Sequence, residues 1–213
     1  MGTQRTALIT GGASGIGLAT AVRLRDEGWD VVIADRDPRA AEVAAEIGVT
    51  AQALDVTDPA AWQKLGRALD AAEVELGAVL LNAGVAGGGT DLAALDLDRY
   101  HQLMRVNVDG VVYGLREMLP RLARPGVVTV TASLAGLMGV APDPIYAMTK
   151  HAVIGLVRSV HGDLAGPGDA DLGEQIQGPI DHRNVADRAQ RLRPEVGEGA
   201  QAGARARGQH DPG

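Results

Sequence analysis

The chain has no cysteine in its 213 residues. Disulfide cross-links, thiolate nucleophiles and cysteine-based metal sites are therefore excluded. It also lacks a long apolar run, since no stretch approaches the roughly 18 consecutive apolar residues of a membrane span. The N-terminal run Ala7-Leu8-Ile9 is too short for the apolar core of a secretory signal and leads straight into glycines. An excess of positive charge is missing as well. The formal net charge is −7, and no basic stripe interrupts it, which argues against nucleic acid and anionic membranes as partners. A cytoplasmic protein is the expectation. No tandem repeat of fixed period is visible. Hydrophobic residues make up 46% of the chain, enough for a packed body, and the length suits one domain with a substantial core.

Short apolar runs alternate with longer helical patterns. Strands are predicted at 5–10, 30–34, 49–54, 78–81 and 126–131. Helices are predicted at 15–28, 38–47, from Asp58-Pro59 onward, at 98–124 and at 145–164. Pro38 and Pro59 fall near helix starts, where proline is tolerated, and Asp58 is a capping residue. Strands apolar on both faces, alternating with helices, predict an α/β fold: a Rossmann-type, doubly wound parallel sheet in three α/β/α layers. Trp29 and Trp62 read as packing residues. His101, His151, His161, His182 and His210 show no helical pairing with acids that suggests a metal site, and read as surface or interface residues.

Between the first strand and first helix lies Thr10-Gly11-Gly12-Ala13-Ser14-Gly15-Ile16-Gly17. That context makes the glycines informative. Gly11 permits a tight turn, Gly15 lets the backbone approach a pyrophosphate, and Gly17 allows close helix–sheet packing. The helix N-terminus then offers free N–H groups and a positive dipole end to phosphates. Asp35 ends the second strand eighteen residues after Gly17, where a carboxylate can accept hydrogen bonds from an adenosine ribose diol. Its charge repels a 2′-phosphate, so NAD is favoured over NADP, while the adjacent Arg36 softens that preference.

Tyr146 and Lys150 stand four apart on a predicted helix and share a face. A tyrosine with its ordinary pKa of about 10 is a poor base at neutral pH. A neighbouring ammonium stabilises the phenolate, as does a positively charged nicotinamide. Tyr146 is thus a candidate for exchanging a proton with an alcohol or carbonyl oxygen. Ser133 follows the fifth strand, thirteen residues before Tyr146, at the sheet edge where ligands bind in doubly wound folds.

In order and spacing, Thr10 to Gly17, Asp35, Asp55-Val56, Asn82-Ala83-Gly84, Asn107, Ser133 and Tyr146-Ala147-Met148-Thr149-Lys150 resemble the short-chain dehydrogenase/reductase family. The resemblance implies an NAD(P)-dependent oxidoreductase passing hydride between a secondary alcohol or ketone and nicotinamide. It implies that Gly11, Ser14, Gly15, Ile16, Gly17, Asp35 and Arg36 bind the cofactor. Asp55 would contact the adenine and Val56 line its pocket, while Asn82, Ala83 and Gly84 pass beside the cofactor. Asn107, Ser133, Tyr146 and Lys150 form the implied catalytic set: Asn107 holds a relay water, Lys150 also binds the nicotinamide ribose, and Ser133 and Tyr146 bracket the reacting oxygen. Family members also assemble through their long helices, here 100–122 and 145–164, so a homo-oligomer is expected.

The resemblance spans roughly residues 6–165. The expected organisation is a catalytic domain at 1–165 and an atypical tail at 166–213, which reads as disordered or loosely attached apart from a short helix at 183–193. A sixth strand and the turn and covering segment after it are not recognisable: where a β-branched run belongs, the chain reads Pro167-Gly168-Asp169-Ala170-Asp171. The Arg, Gly, Ala and Pro enrichment fits either a shifted reading frame in a GC-rich gene or a natural divergent tail. Without that strand, the sheet face and edge it covers are exposed and half of the substrate pocket is missing. Two readings therefore stay open: an active dehydrogenase, or a non-catalytic dinucleotide-binding or inactive homologue. Substrate determinants are expected at 85–95, at 134–144, where Leu137, Met138 and Val140 suggest an apolar pocket, and in the unrecognised covering segment.

Overall fold

Ala7, Leu8 and Ile9 are apolar at consecutive positions, so a strand made of them must be covered on both faces. In the computed structural model, which describes residues 5–89 and 91–164, they form the middle of β1 (Thr6–Thr10) and are fully buried. The other strands are β2 (Asp30–Asp35), β3 (Thr50–Ala53), β4 (Leu76–Leu81) and β5 (Leu122–Val130). All pairings are parallel and the strand order is β3-β2-β1-β4-β5. The crossovers from β1 thus run in both directions, to β2 on one side and β4 on the other. This is a doubly wound sheet with its switch point between β1 and β4.

Alternate side chains feed two helical layers. Ile9, Val31 and Ile33 pack with Ala21 of α1 (Gly15–Asp26) and Ala44 of α2 (Ala40–Glu46). On the opposite face, Leu8, Val79 and Leu81 pack with Trp62, Leu65 and Leu69 of α3 (Pro59–Ala71). The same cluster takes in Val111, Leu115 and Met118 of α5 (Gly110–Met118) and Val153 of α6 (Pro144–Leu164). Asp58 caps α3 by accepting the Ala60 N–H at 2.8 Å, with Pro59 at the first helical position. Both tryptophans pack: Trp62 is fully buried and donates its indole N–H to the Val56 carbonyl at 3.0 Å, and Trp29 lies against the α1/α2 cluster.

One expected boundary is corrected. The span predicted as a single helix at 98–124 consists of α4 (Leu97–Met104), a π-helical turn at Arg105–Asp109, α5, and a 3₁₀ turn at Leu119–Arg121. Leu122 already belongs to β5 and pairs with Leu76. Pro120 explains the early stop. It has no N–H for the helical ladder and its ring conflicts with the carbonyl four residues back, so the helix tightens and the chain turns extended at Leu122.

Both outer strands are exposed. On β5, Val128 and Val130 pack inward against the α3/α5 cluster, but Val127 is 50% exposed and Thr129 is also open to solvent. Among the described residues the sheet has five strands, with β3 and β5 outermost, and the stretch where a sixth strand was sought lies outside them. The tail, including the helix predicted at 183–193, lies outside the described residues. Among those residues no helix is long and apolar enough to cross a membrane.

Candidate active site

The glycine loop joins β1 to α1 at the switch point. Gly11 and Gly15 have φ values of +64° and +54°, a backbone region that side chains disfavour. A Cβ on Gly17 would lie 2.2 Å from the Gly11 carbonyl oxygen, whereas the space beside Gly15 is open to 4 Å. The loop is thus closed on its inner side and open where the helix begins. Ser14 precedes α1 in extended conformation and makes no side-chain cap. The first N–H groups of α1 therefore remain for an anion. These features fit a dinucleotide pyrophosphate.

Asp35, at the end of β2, is held from both sides. Its Oδ2 accepts the Ala13 N–H and its Oδ1 the Asp37 N–H, each at 3.0 Å. A carboxylate has about four acceptor positions, so two remain for a diol. Arg36 beside it is exposed. Asp55 accepts from the Thr57 N–H at 2.9 Å and the Thr57 hydroxyl at 2.8 Å, closing the turn after β3. Val56 is buried in the core, where its side chain contacts the position of Gly110. Between these strand ends and α4 lies a cleft of about 320 Å³ lined by Arg36, Thr57, His101, Gln102, Arg105 and Val106, among others.

Across the switch point, Thr10 and Asn82 tie the β1 and β4 exits together. The buried Thr10 hydroxyl accepts the N–H groups of Asn82 at 2.9 Å and Ala83 at 3.1 Å. Asn82 donates its amide to the carbonyls of Thr10 and Gly11 and accepts from the Thr131 hydroxyl at 3.0 Å. One side chain thereby links three strand ends.

Asn107 sits in the π-helical turn at 1% exposure. Its Oδ1 accepts the Val85 N–H and its Nδ2 donates to the Val85 carbonyl, both at 2.8 Å. A second Nδ2 bond reaches the Thr149 hydroxyl at 3.1 Å, and that hydroxyl donates to the Tyr146 carbonyl at 2.7 Å. Both amide protons are spent, and Oδ1 keeps one lone pair. Lys150 is 5% exposed, and its Nζ donates to the Thr131 carbonyl at 2.8 Å and lies 5.6 Å from the Tyr146 ring centroid. Burial pushes the Lys150 amine below its ordinary range, because the charged form loses hydration. Two of its three protons remain for other acceptors. Ser133 precedes the 3₁₀ turn Leu134–Gly136, and its Oγ accepts the Ala135 N–H at 3.2 Å. That turn lies on α6: a Cβ on Gly136 would stand 2.6 Å from Ile154 and 2.7 Å from the Lys150 carbonyl.

The β5 exit and α6 therefore bring Ser133, Tyr146 and Lys150 to one end of the sheet, with Asn107 bracing α6 from behind. Sequence reasoning missed Arg99, Asp143 and Thr149. Asp143 had a local signal, since an acid followed by proline marks a helix start. Arg99 and Thr149 had none, because their partners are distant in the chain.

Comparison with known proteins gives the family. The profile of the short chain dehydrogenase family matches residues 5–168. A 1-deoxy-11-beta-hydroxypentalenate dehydrogenase of Streptomyces exfoliatus is 40% identical over 177 residues, covering 77% of this chain and 63% of that protein. A 2-dehydro-3-deoxy-L-rhamnonate dehydrogenase (NAD(+)) of Sphingomonas sp. (strain SKA58) is 33% identical over 168 residues, covering 77% of this chain and 68% of the other. Among solved structures, a short-chain dehydrogenase/reductase from Burkholderia phymatum in complex with NAD aligns with a TM-score of 0.70 at 31% identity, over 75% of this chain and 60% of that one. Levodione reductase aligns at 0.71 and 30% identity, over 76% and 66%. The chain thus spans less than two thirds of the Streptomyces exfoliatus relative's length. With the profile matched over most of its length and the switch-point loops in place, the chain belongs to the short-chain dehydrogenase family.

Proposed function

We propose that the protein is an NAD-dependent oxidoreductase that interconverts a secondary alcohol and a ketone. The observation that carries this reading is the Lys150 ammonium, almost fully buried, bonded once to Thr131 and set beside the Tyr146 ring. A bound nicotinamide dinucleotide supplies the hydride acceptor or donor. The uncapped start of α1 holds the pyrophosphate, and Gly15 leaves room for its approach. The free lone pairs of Asp35 accept from the ribose diol, and its charge disfavours a 2′-phosphate. Tyr146, as phenolate, accepts the alcohol proton during oxidation and returns it during reduction. Lys150 stabilises that phenolate with its remaining N–H groups. Ser133 donates its hydroxyl to the reacting oxygen, while the Ala135 N–H fixes Oγ. Asn107 keeps α6 in register with the β4 exit. A second copy of the chain is the proposed partner, through Val112 of α5 and Met148 and Val157 of α6, all exposed apolar residues.

The absence of a recognisable sixth strand or covering segment in the sequence after Gly166 favours a second reading, a dinucleotide binder without turnover. One experiment separates them. Thermal unfolding is followed with saturating NADH or NADPH, and the chain is then assayed with NADH on a panel of cyclic and aryl ketones. The proposal expects a cooperative transition raised more by NADH than by NADPH. It also expects turnover that Tyr146→Phe largely abolishes without weakening NADH binding. Stabilisation by NADH with no turnover supports the binder. Equal turnover by the Phe variant removes Tyr146 from the mechanism.

A further inference from the structure

The loop after β4 is held by two charged side chains that the proposed chemistry does not use. Gly87 and Gly89 have φ values of +92° and +82°, and a Cβ on Gly88 would lie 2.9 Å from Ile145 and 3.1 Å from Leu103. The glycines let residues 86–89 pass between α4 and the first turn of α6. The loop's backbone donors and acceptors are then sorted by charge. Asp143 Oδ2 accepts the Gly87 N–H at 2.7 Å, and its Oδ1 accepts the Gly88 N–H at 3.0 Å. From the other side, Arg99 of α4 donates to the carbonyls of Ala86 and Gly87. Asp143 has one more partner: the same Oδ1 accepts the Tyr146 N–H at 3.2 Å. A single oxygen therefore joins the loop to the backbone of the proton-transfer tyrosine.

We infer that Asp143 is a positioning residue that makes the 86–89 loop and the Tyr146 turn one rigid unit, so that one wall of the substrate site is fixed relative to the phenol. A helix cap alone needs one acceptor, for Tyr146. The second oxygen serves only the loop, and charge-assisted bonds to two successive N–H groups hold it more firmly than neutral ones. The inference rests on the proposed function where it concerns turnover, but the clamp has a readout that needs no substrate.

The test uses Asp143→Asn in the full chain. The amide oxygen still caps α6 and still reaches Gly88, while the amide nitrogen is a donor and cannot accept from Gly87. Amide exchange at Gly87 and Gly88 is read by NMR, with NADH affinity and ketone kinetics alongside. The expected result is exchange at Gly87 faster by roughly tenfold or more. NADH affinity stays within about twofold, and kcat/KM falls roughly tenfold, because a small displacement near the reacting groups is costly. Asp143→Ala should lower the unfolding temperature as well, through loss of the cap. Unchanged Gly87 exchange in the Asn variant, with a stability loss only in the Ala variant, would overturn the inference and leave a simple helix cap. Faster exchange with unchanged kcat/KM would overturn the positioning role. If no ketone is turned over by the unaltered chain, the proposed function fails, and the exchange measurement still decides whether the clamp exists.

Discussion

Replacing Asn107 by alanine tests whether one side chain holds the two halves of the site together. The substitution removes three hydrogen bonds: two to the backbone of Val85 and one to Thr149. The groups left behind are a peptide N–H, a peptide carbonyl and a hydroxyl. Thr149 is fully buried and keeps its bond to the Tyr146 carbonyl, while Val85 is half-buried and partly reachable by water. A buried polar group stripped of its partner costs about 1–3 kcal/mol, and a partly hydrated one sits at the low end, so the loss should be about 2–5 kcal/mol. Alanine returns about 0.5 kcal/mol through its better helix propensity. Such a loss is a large share of the 5–15 kcal/mol typical of a folded domain. Urea unfolding followed by circular dichroism measures it as a shift in midpoint with an unchanged slope. Asn107→Asp sharpens the test. It preserves volume but sets an acceptor against the Val85 carbonyl where Nδ2 now donates, so it should also destabilise. A loss below about 1 kcal/mol in both variants would refute the reasoning, since it lies under the cost of even one orphaned group.

Two further outcomes follow from the glycine loop and from Lys150. Gly15→Ala should leave a folded chain, at about 1–2 kcal/mol for a side chain forced into the left-handed region, yet weaken NADH binding. Gly17→Ala should impair the fold itself, because its Cβ meets the Gly11 carbonyl. NADH titration and thermal unfolding of the pair check this, and equal stability of the two variants would contradict it. Lys64 and Lys150 are the chain's two lysines, so alkaline titration of the amines is simple to follow. The unfolded chain binds the Lys150 proton up to its ordinary value of 10.5, while burial makes the folded chain release it at lower pH. In that window unfolding takes up a proton. The burial penalty is therefore full below the folded value and is relieved as pH rises toward 10.5. Relative to Lys150→Met, the unaltered chain should gain stability on going from neutral pH toward 10, as read by unfolding at a series of pH values. A flat or falling difference would show that the amine is not held against its hydration.

Much of the fold was legible locally. Apolar runs such as Ala7-Leu8-Ile9 set the strands, and the Asp58-Pro59 pair marked the start of a helix, because both signals act within a few residues. The glycine loop, Asp35 and the four-residue spacing of Tyr146 and Lys150 were readable for the same reason: a turn, a strand end and a helix face are local geometries. The long helix was overextended because apolar periodicity continues past Pro120, and only the missing proline N–H and the pairing of Leu122 with Leu76 end it.

The sequence by itself therefore determined the order of strands and helices, the loop that can face a pyrophosphate and the placing of Tyr146 and Lys150 on one helix face. Tertiary structure decided what each of these rests on. Thr10 is joined to Asn82 across β1 and β4, Asn107 to Val85 and Thr149, and Asp143 and Arg99 to the loop at 86–88. These bonds connect side chains to the backbone or hydroxyls of segments far away in the chain, and a peptide N–H or carbonyl has no side-chain signature to announce its partner. They come into reach only when the parallel crossovers bring the carboxyl ends of β1, β4 and β5 together at one edge of the sheet.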